Sequence, residues 1–236
     1  MLRNTIIILC LMLMACRPDD KADLKPVHPG NNTKGKAISY LALGDSYTIG
    51  TAIGTENSYA SRLADSLKLH DSIRSVKLDI IAQNGWTTGN LLNALNNETI
   101  PTDYDMVTLL IGVNNQYQGR SKVVYRNEFT TLLQQAIQYA GGDAGKVIVL
   151  SIPDWGATPA GAANRTVIAA DIDDFNSINK AVTDSMKVAY LDITPVSRTA
   201  ADNPELVAAD NLHFSAEMHE LWLKMLYAPA VSALLP

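Results

Sequence analysis

From residue 38 onward the chain alternates short, unbroken apolar runs with longer segments in which apolar residues recur at helical spacing. The runs cover residues 38–43, 76–82, 106–111, 147–152 and 188–193. They are short and rich in strand formers, and polar or turn-forming residues follow each of them, which predicts five strands. Between and after them, helical spacing predicts helices over 59–69, 88–96, 122–140, 168–186 and 216–235. Strands that alternate with helices build βαβ units, and a parallel sheet of this kind is covered on both faces. The expected architecture is an α/β three-layer α/β/α sandwich around a mostly parallel five-stranded sheet. No internal repeat is visible.

The residues after each run carry more information than the runs themselves. Gly44-Asp45-Ser46 ends the first, Gln83-Asn84-Gly85-Trp86-Thr87-Thr88 the second, Gly112-Val113-Asn114-Asn115-Gln116 the third and Pro153-Asp154-Trp155-Gly156 the fourth. After the fifth, the chain reaches Asp210-Asn211-Leu212-His213 just ahead of the final helical segment. In open α/β sheets ligands collect outside the carboxyl ends of the strands, so these turns are expected to meet at one edge.

Composition narrows the classes. The 236 residues are 47% hydrophobic and 18% charged, which suits one globular domain. A net charge of -5 supplies no basic surface for neutralising phosphates, so no nucleic-acid partner is expected. Arg3 followed by a nearly continuous apolar stretch from Ile6 to Ala15 reads as a signal peptide, too short to span a bilayer. Leu13-Met14-Ala15-Cys16 resembles the lipobox of bacterial lipoproteins, which implies cleavage before Cys16 and lipidation of its thiol. The two cysteines, Cys10 and Cys16, then leave no free thiol in the mature domain, and thiolate chemistry is excluded there. Proline, glycine and asparagine between residues 23 and 36 give a linker composition. The expected organisation is a signal peptide at 1–15, a lipid-anchored linker at 16–36 and a folded domain at 37–236. That places an exported lipoprotein at the cell envelope, touching membrane only through its anchor.

Ser46 is a weak nucleophile until a base takes its proton, and a histidine base needs a carboxylate to fix its tautomer. Of the four histidines, His28 falls in the linker and His70 at a helix end, while His219 lies inside the last helix, where a surface or groove-filling role is expected. His213 sits on a turn with Asp210 three residues before it. In a tight turn both side chains can point to one side, although many such pairs only cap helices.

Taken together these stretches resemble the GDSL or SGNH hydrolases, whose four blocks hold a serine, a glycine, an asparagine and a histidine. Gly44-Asp45-Ser46 is similar to the first block, Gly85 to the second, Gly112-Val113-Asn114 to the third and Asp210 to His213 to the last, all in the family's order. The resemblance implies a flavodoxin-like fold and an acyl-enzyme mechanism without cofactor or metal. It makes Ser46 the nucleophile, His213 the general base and then acid, and Asp210 the orienting carboxylate. The oxyanion hole would be the backbone N–H groups of Ser46 and Gly85 with the amide of Asn114. Loss of one such donor typically costs on the order of 10²–10³ in kcat. The third block departs from the frequent Gly-x-Asn-Asp, with Asn115 in the last place.

Other patterns carry less. Residues 30–36 nearly spell a phosphate-binding loop, but Ala37 replaces its Ser or Thr and the segment precedes a strand. Thr48 breaks the Gly-x-Ser-x-Gly elbow. Trp86, Tyr117 and Trp155, with Tyr47, Gln116 and Arg120 nearby, are candidates for the substrate wall, and packing beneath a loop is the competing role for each. The expected activity is carboxylic ester hydrolysis, with a carbohydrate acetyl ester as one substrate class. A lysophospholipase or thioesterase of the same fold, or a glycan-binding lipoprotein without turnover, are the alternatives.

Overall fold

The computed structural model describes residues 35–235. The expected signal peptide, Cys16 and the expected linker up to residue 34 lie outside the described residues.

Five strands form one sheet in the order β2-β1-β3-β4-β5. They are β1 (Lys36–Gly44), β2 (Ile73–Ala82), β3 (Met106–Leu110), β4 (Val147–Leu150) and β5 (Ala189–Leu191). Every pairing is parallel, and β1 lies between β2 and β3 with Leu43 opposite Ile81 and Leu109. The inner strands β3 and β4 are buried at every residue, whereas β2 and β5 at the edges are only partly covered. Unbroken apolar runs belong to strands covered on both faces, which is why the sequence marks the inner strands so clearly. Lys36, read above as linker, is the first residue of β1 and pairs with Asp105 at 2.8 Å.

The helices are α1 (Ser46–Ile49), α2 (Tyr59–Leu67), α3 (Thr88–Asn96), α4 (Val113–Tyr117), α5 (Lys122–Tyr139), α6 (Arg165–Ser185), α7 (Thr194–Arg198) and α8 (Ala216–Leu234). The five long ones match the spacing-based expectation closely. α2 packs on α8, while α3, α5 and α6 pack in succession, giving the two outer layers. This follows from right-handed crossovers: β1 to β2 runs one way along the sheet, and β2 through β5 runs the other. α2 buries Tyr59, Ala60, Leu63, Ala64 and Leu67 along one stripe against Met218, Trp222 and Leu226 of α8 in the common core. Each fully buried leucine contributes roughly 1.5–3 kcal/mol by transfer out of water. His219, read as surface or groove filling, is buried, and its Nδ1 accepts the Tyr59 N–H at 3.1 Å. Burial, with the nearby Arg62 charge, holds the ring's pKa down at about 3, so it stays neutral.

The chain reverses direction across the sheet between β1 and β3. A crevice at such a switch point is where open α/β folds bind ligands, and α1 and α4 begin there.

Candidate active site

Ser46 is the first residue of α1, where the backbone N–H has no acceptor within the helix. The approach is tight. A Cβ on Gly44 would collide with Thr48 Oγ1 and with the Leu110 carbonyl oxygen, so only glycine lets β1 turn into α1 here. Asp45 caps the helix, its Oδ1 accepting the Tyr47 N–H at 3.1 Å. Its Oδ2 is buried without a hydrogen-bond partner. Burial pushes the Asp45 pKa up to about 7, against the opposing pull of the Tyr47 and Gly112 N–H groups.

That shift has a sign. The folded pKa stands above the unfolded value of about 4, so the stability this carboxyl contributes is complete below about pH 4 and is lost as pH rises towards 7. Asp45→Asn keeps an acceptor for Tyr47 and cannot ionise. The variant's Tm, measured from pH 4 to 8 beside the parent, is expected to gain on the parent as pH rises, and a constant difference would contradict the assignment.

On the far side, Asn211 adopts φ +61°, which curls the chain so that Asp210 and His213 face each other. Asp210 Oδ1 accepts the N–H groups of Leu212 at 3.0 Å and His213 at 2.9 Å, and Oδ2 lies 2.6 Å from His213 Nδ1. Burial raises the Asp210 pKa, but the His213 contact and the two N–H groups outweigh it and hold the carboxyl below its usual range. The carboxylate is thus fixed in both position and charge.

Ser46, Asn114 and His213 line one cavity of about 170 Å³. Tyr47, Asn84, Val113, Tyr117, Trp155 and Leu212 complete its wall. Asn114 Nδ2 donates to the Trp86 carbonyl at 2.9 Å, which orients the amide and leaves its second hydrogen uncommitted. Gly85 has φ +80° and nothing within 4 Å of a built Cβ. The residue is therefore glycine for its backbone conformation.

The three aromatic candidates separate. Tyr117, 60% exposed, meets Trp155 edge to face at 5.1 Å between centroids, and both line the cavity. Trp155 Nε1 donates to Gln116 Oε1 at 2.8 Å, and Gln116 Nε2 donates to Asp171 Oδ2 at 3.1 Å, tying this wall to α6. Trp86 is half-buried against the core, and its carbonyl accepts the Asn114 amide. Arg120 bonds Gln118. Asn84, Val113 and Leu212 were missed as wall residues, although each adjoins a block residue in sequence. Among the described residues no group of three or more His, Cys, Asp or Glu could hold a metal ion.

A five-stranded parallel sheet between two helical layers, with a serine, an asparagine and a histidine meeting at its switch point, defines the class as an α/β protein of the SGNH hydrolase architecture. The chain belongs to the GDSL-like lipase/acylhydrolase family, whose model matches residues 42–221. Similar solved structures include an acetylxylan esterase from Geobacillus stearothermophilus, at 15% identity and TM-score 0.65 over 84% of this chain and 95% of that one. A lipase/acylhydrolase from Enterococcus faecalis is 19% identical, with TM-score 0.64 over 83% and 95%. An α/β hydrolase enzyme from the metagenome of Lake Arreo is 17% identical, with TM-score 0.66 over 88% and 100%. At these identities the likeness is one of fold. No curated protein matches the chain significantly.

Proposed function

We propose that the protein is a serine esterase that removes small acyl groups, acetyl above all, from carbohydrate esters. The observation that carries the chemistry is the cavity shared by Ser46 and His213, with Asp210 Oδ2 at 2.6 Å from the far side of the ring. Asp210 holds the proton on Nδ1, which leaves the other ring nitrogen free to take the Ser46 proton. The Ser46 oxygen then attacks the ester carbonyl. Negative charge develops on the carbonyl oxygen, which the N–H groups of Ser46 and Gly85 and the free hydrogen of Asn114 would receive without adding charge of their own. His213 returns the proton to the departing alcohol, and water hydrolyses the acyl-enzyme by the same route in reverse.

Size and wall chemistry support the substrate class. About 170 Å³ is small beside the roughly 300–1,000 Å³ of cavities that enclose drug-sized ligands, and it suits a short acyl group. The exposed Tyr117 ring and the half-buried Trp155 ring beside it offer an amphipathic face to a sugar, whose C–H groups pack on aromatics while its hydroxyls stay in water. Two of the solved structures similar in fold are described as acetylxylan esterases. Purified protein assayed on acetylated glycans, lysolipids and acyl-CoA is expected to turn over the glycans fastest. A preference for long acyl chains would sink the acetyl reading.

A further inference from the structure

Asn115 follows the oxyanion asparagine and is buried, 1% exposed, beside the equally buried Thr88. The Thr88 N–H donates to Asn115 Oδ1 at 2.9 Å. A backbone N–H can only donate, so the amide is pinned with Nδ2 towards the Thr88 hydroxyl, which it reaches at 2.7 Å. The hydroxyl oxygen accepts there, and its single proton goes on to the Glu128 carboxylate of α5. The side-chain hydrogen bonds therefore run one way, from the Asn115 amide through the Thr88 hydroxyl to Glu128. Gly89 makes room for the acceptor, because a built Cβ there would already lie 3.0 Å from Glu128 Oε1.

The relay joins two parts of the site. Thr88 opens α3 directly after the Gly85-Trp86 turn, and Asn115 lies in α4, a helix of five residues without a side-chain cap. Together with the Asn114 bond to the Trp86 carbonyl, the paired Asn115–Thr88 bonds tie these two segments to each other. Resting on the esterase reading above, we infer that Asn115, Thr88 and Glu128 form a directional positioning relay that holds the Asn114 amide in register with the Gly85 turn, and that the relay requires an amide at 115 because the acceptor charge resides on Glu128.

Asn115→Asp tests this with almost no change in shape. Its Oδ1 still serves the Thr88 N–H, but Oδ2 now faces the hydroxyl as an acceptor, and one proton cannot satisfy two carboxylates. The expected result is a kcat lower by about 10–100-fold with KM on p-nitrophenyl acetate little changed, as for a site displaced by a fraction of an ångström. A fall in Tm of roughly 3–10 °C accompanies it. Adding Glu128→Gln reverses the relay: the glutamine amide donates to Thr88, whose proton then goes to the carboxylate introduced at position 115. Both kcat and Tm are expected to recover in the double variant. Parent-like kcat in Asn115→Asp, or a double variant no better than the single, overturns the relay. Recovery of Tm without any movement in kcat overturns the positioning role and leaves Asn115 structural. If the unaltered protein cleaves no ester, the esterase reading itself falls, a result distinct from an active parent with an indifferent Asn115→Asp.

Discussion

An Asp210→Asn variant is expected to hydrolyse p-nitrophenyl acetate about 10⁴-fold more slowly than the parent while keeping its fold, the order seen when a triad histidine is held in the wrong tautomer. The turn itself dictates this. The Leu212 and His213 N–H groups converge on one oxygen of residue 210 at 3.0 and 2.9 Å, so an asparagine must place its carbonyl there. Its amide then points at His213 Nδ1, now 2.6 Å from a carboxylate oxygen. Facing a donor, Nδ1 must present its lone pair, and the ring proton moves to the nitrogen that should receive the Ser46 proton. The geometry survives and the base disappears. A loss under tenfold, with unchanged circular dichroism, would show that Asp210 does not set the tautomer.

Ser46→Ala is expected to cost still more, on the order of 10⁶ in kcat, because it removes the hydroxyl proposed to form the acyl-enzyme. What remains is the effect of the oxyanion donors and of binding. The parent is expected to take a fluorophosphonate label at Ser46, and the variant to lose it. Retained turnover would reassign the nucleophile, and an unlabelled but folded parent would favour glycan binding without catalysis.

Much of this was legible in the chain. Strands buried on both faces announce themselves as unbroken apolar runs, and the helices over 88–96 and 216–235 fall within a residue of the observed bounds. The block residues were legible because turn chemistry is local. Asp210 and His213 need only the bend at Asn211, and Ser46 needs only Gly44. The short helices were not. α4 reads Val-Asn-Asn-Gln-Tyr, a poor helix former, and starts from Gly112 at φ +133° without a side-chain cap, so long-range ties hold it in place. The same limit hid the purpose of Asn115, whose partner Thr88 stands 27 residues away and whose acceptor lies 40 residues beyond that partner. At Trp86, adjacency to Gly85 brings the backbone carbonyl to the Asn114 amide, a role that belongs to the peptide and so leaves no mark on the residue type.

The contact between α2 and α8 bears on the order in which the enzyme comes to life. Ser46 follows β1, which is paired with β2 and β3, whereas the His213 turn leads into α8, whose Met218, His219 and Trp222 are buried and whose His219 bonds the first residue of α2. α8 follows every strand in the chain, and its partner Tyr59 lies 160 residues upstream of His219. On the proposed assignment, a chain in which α8 has not docked on α2 holds Ser46 without His213 beside it, so the return of turnover after refolding is expected to track formation of that contact.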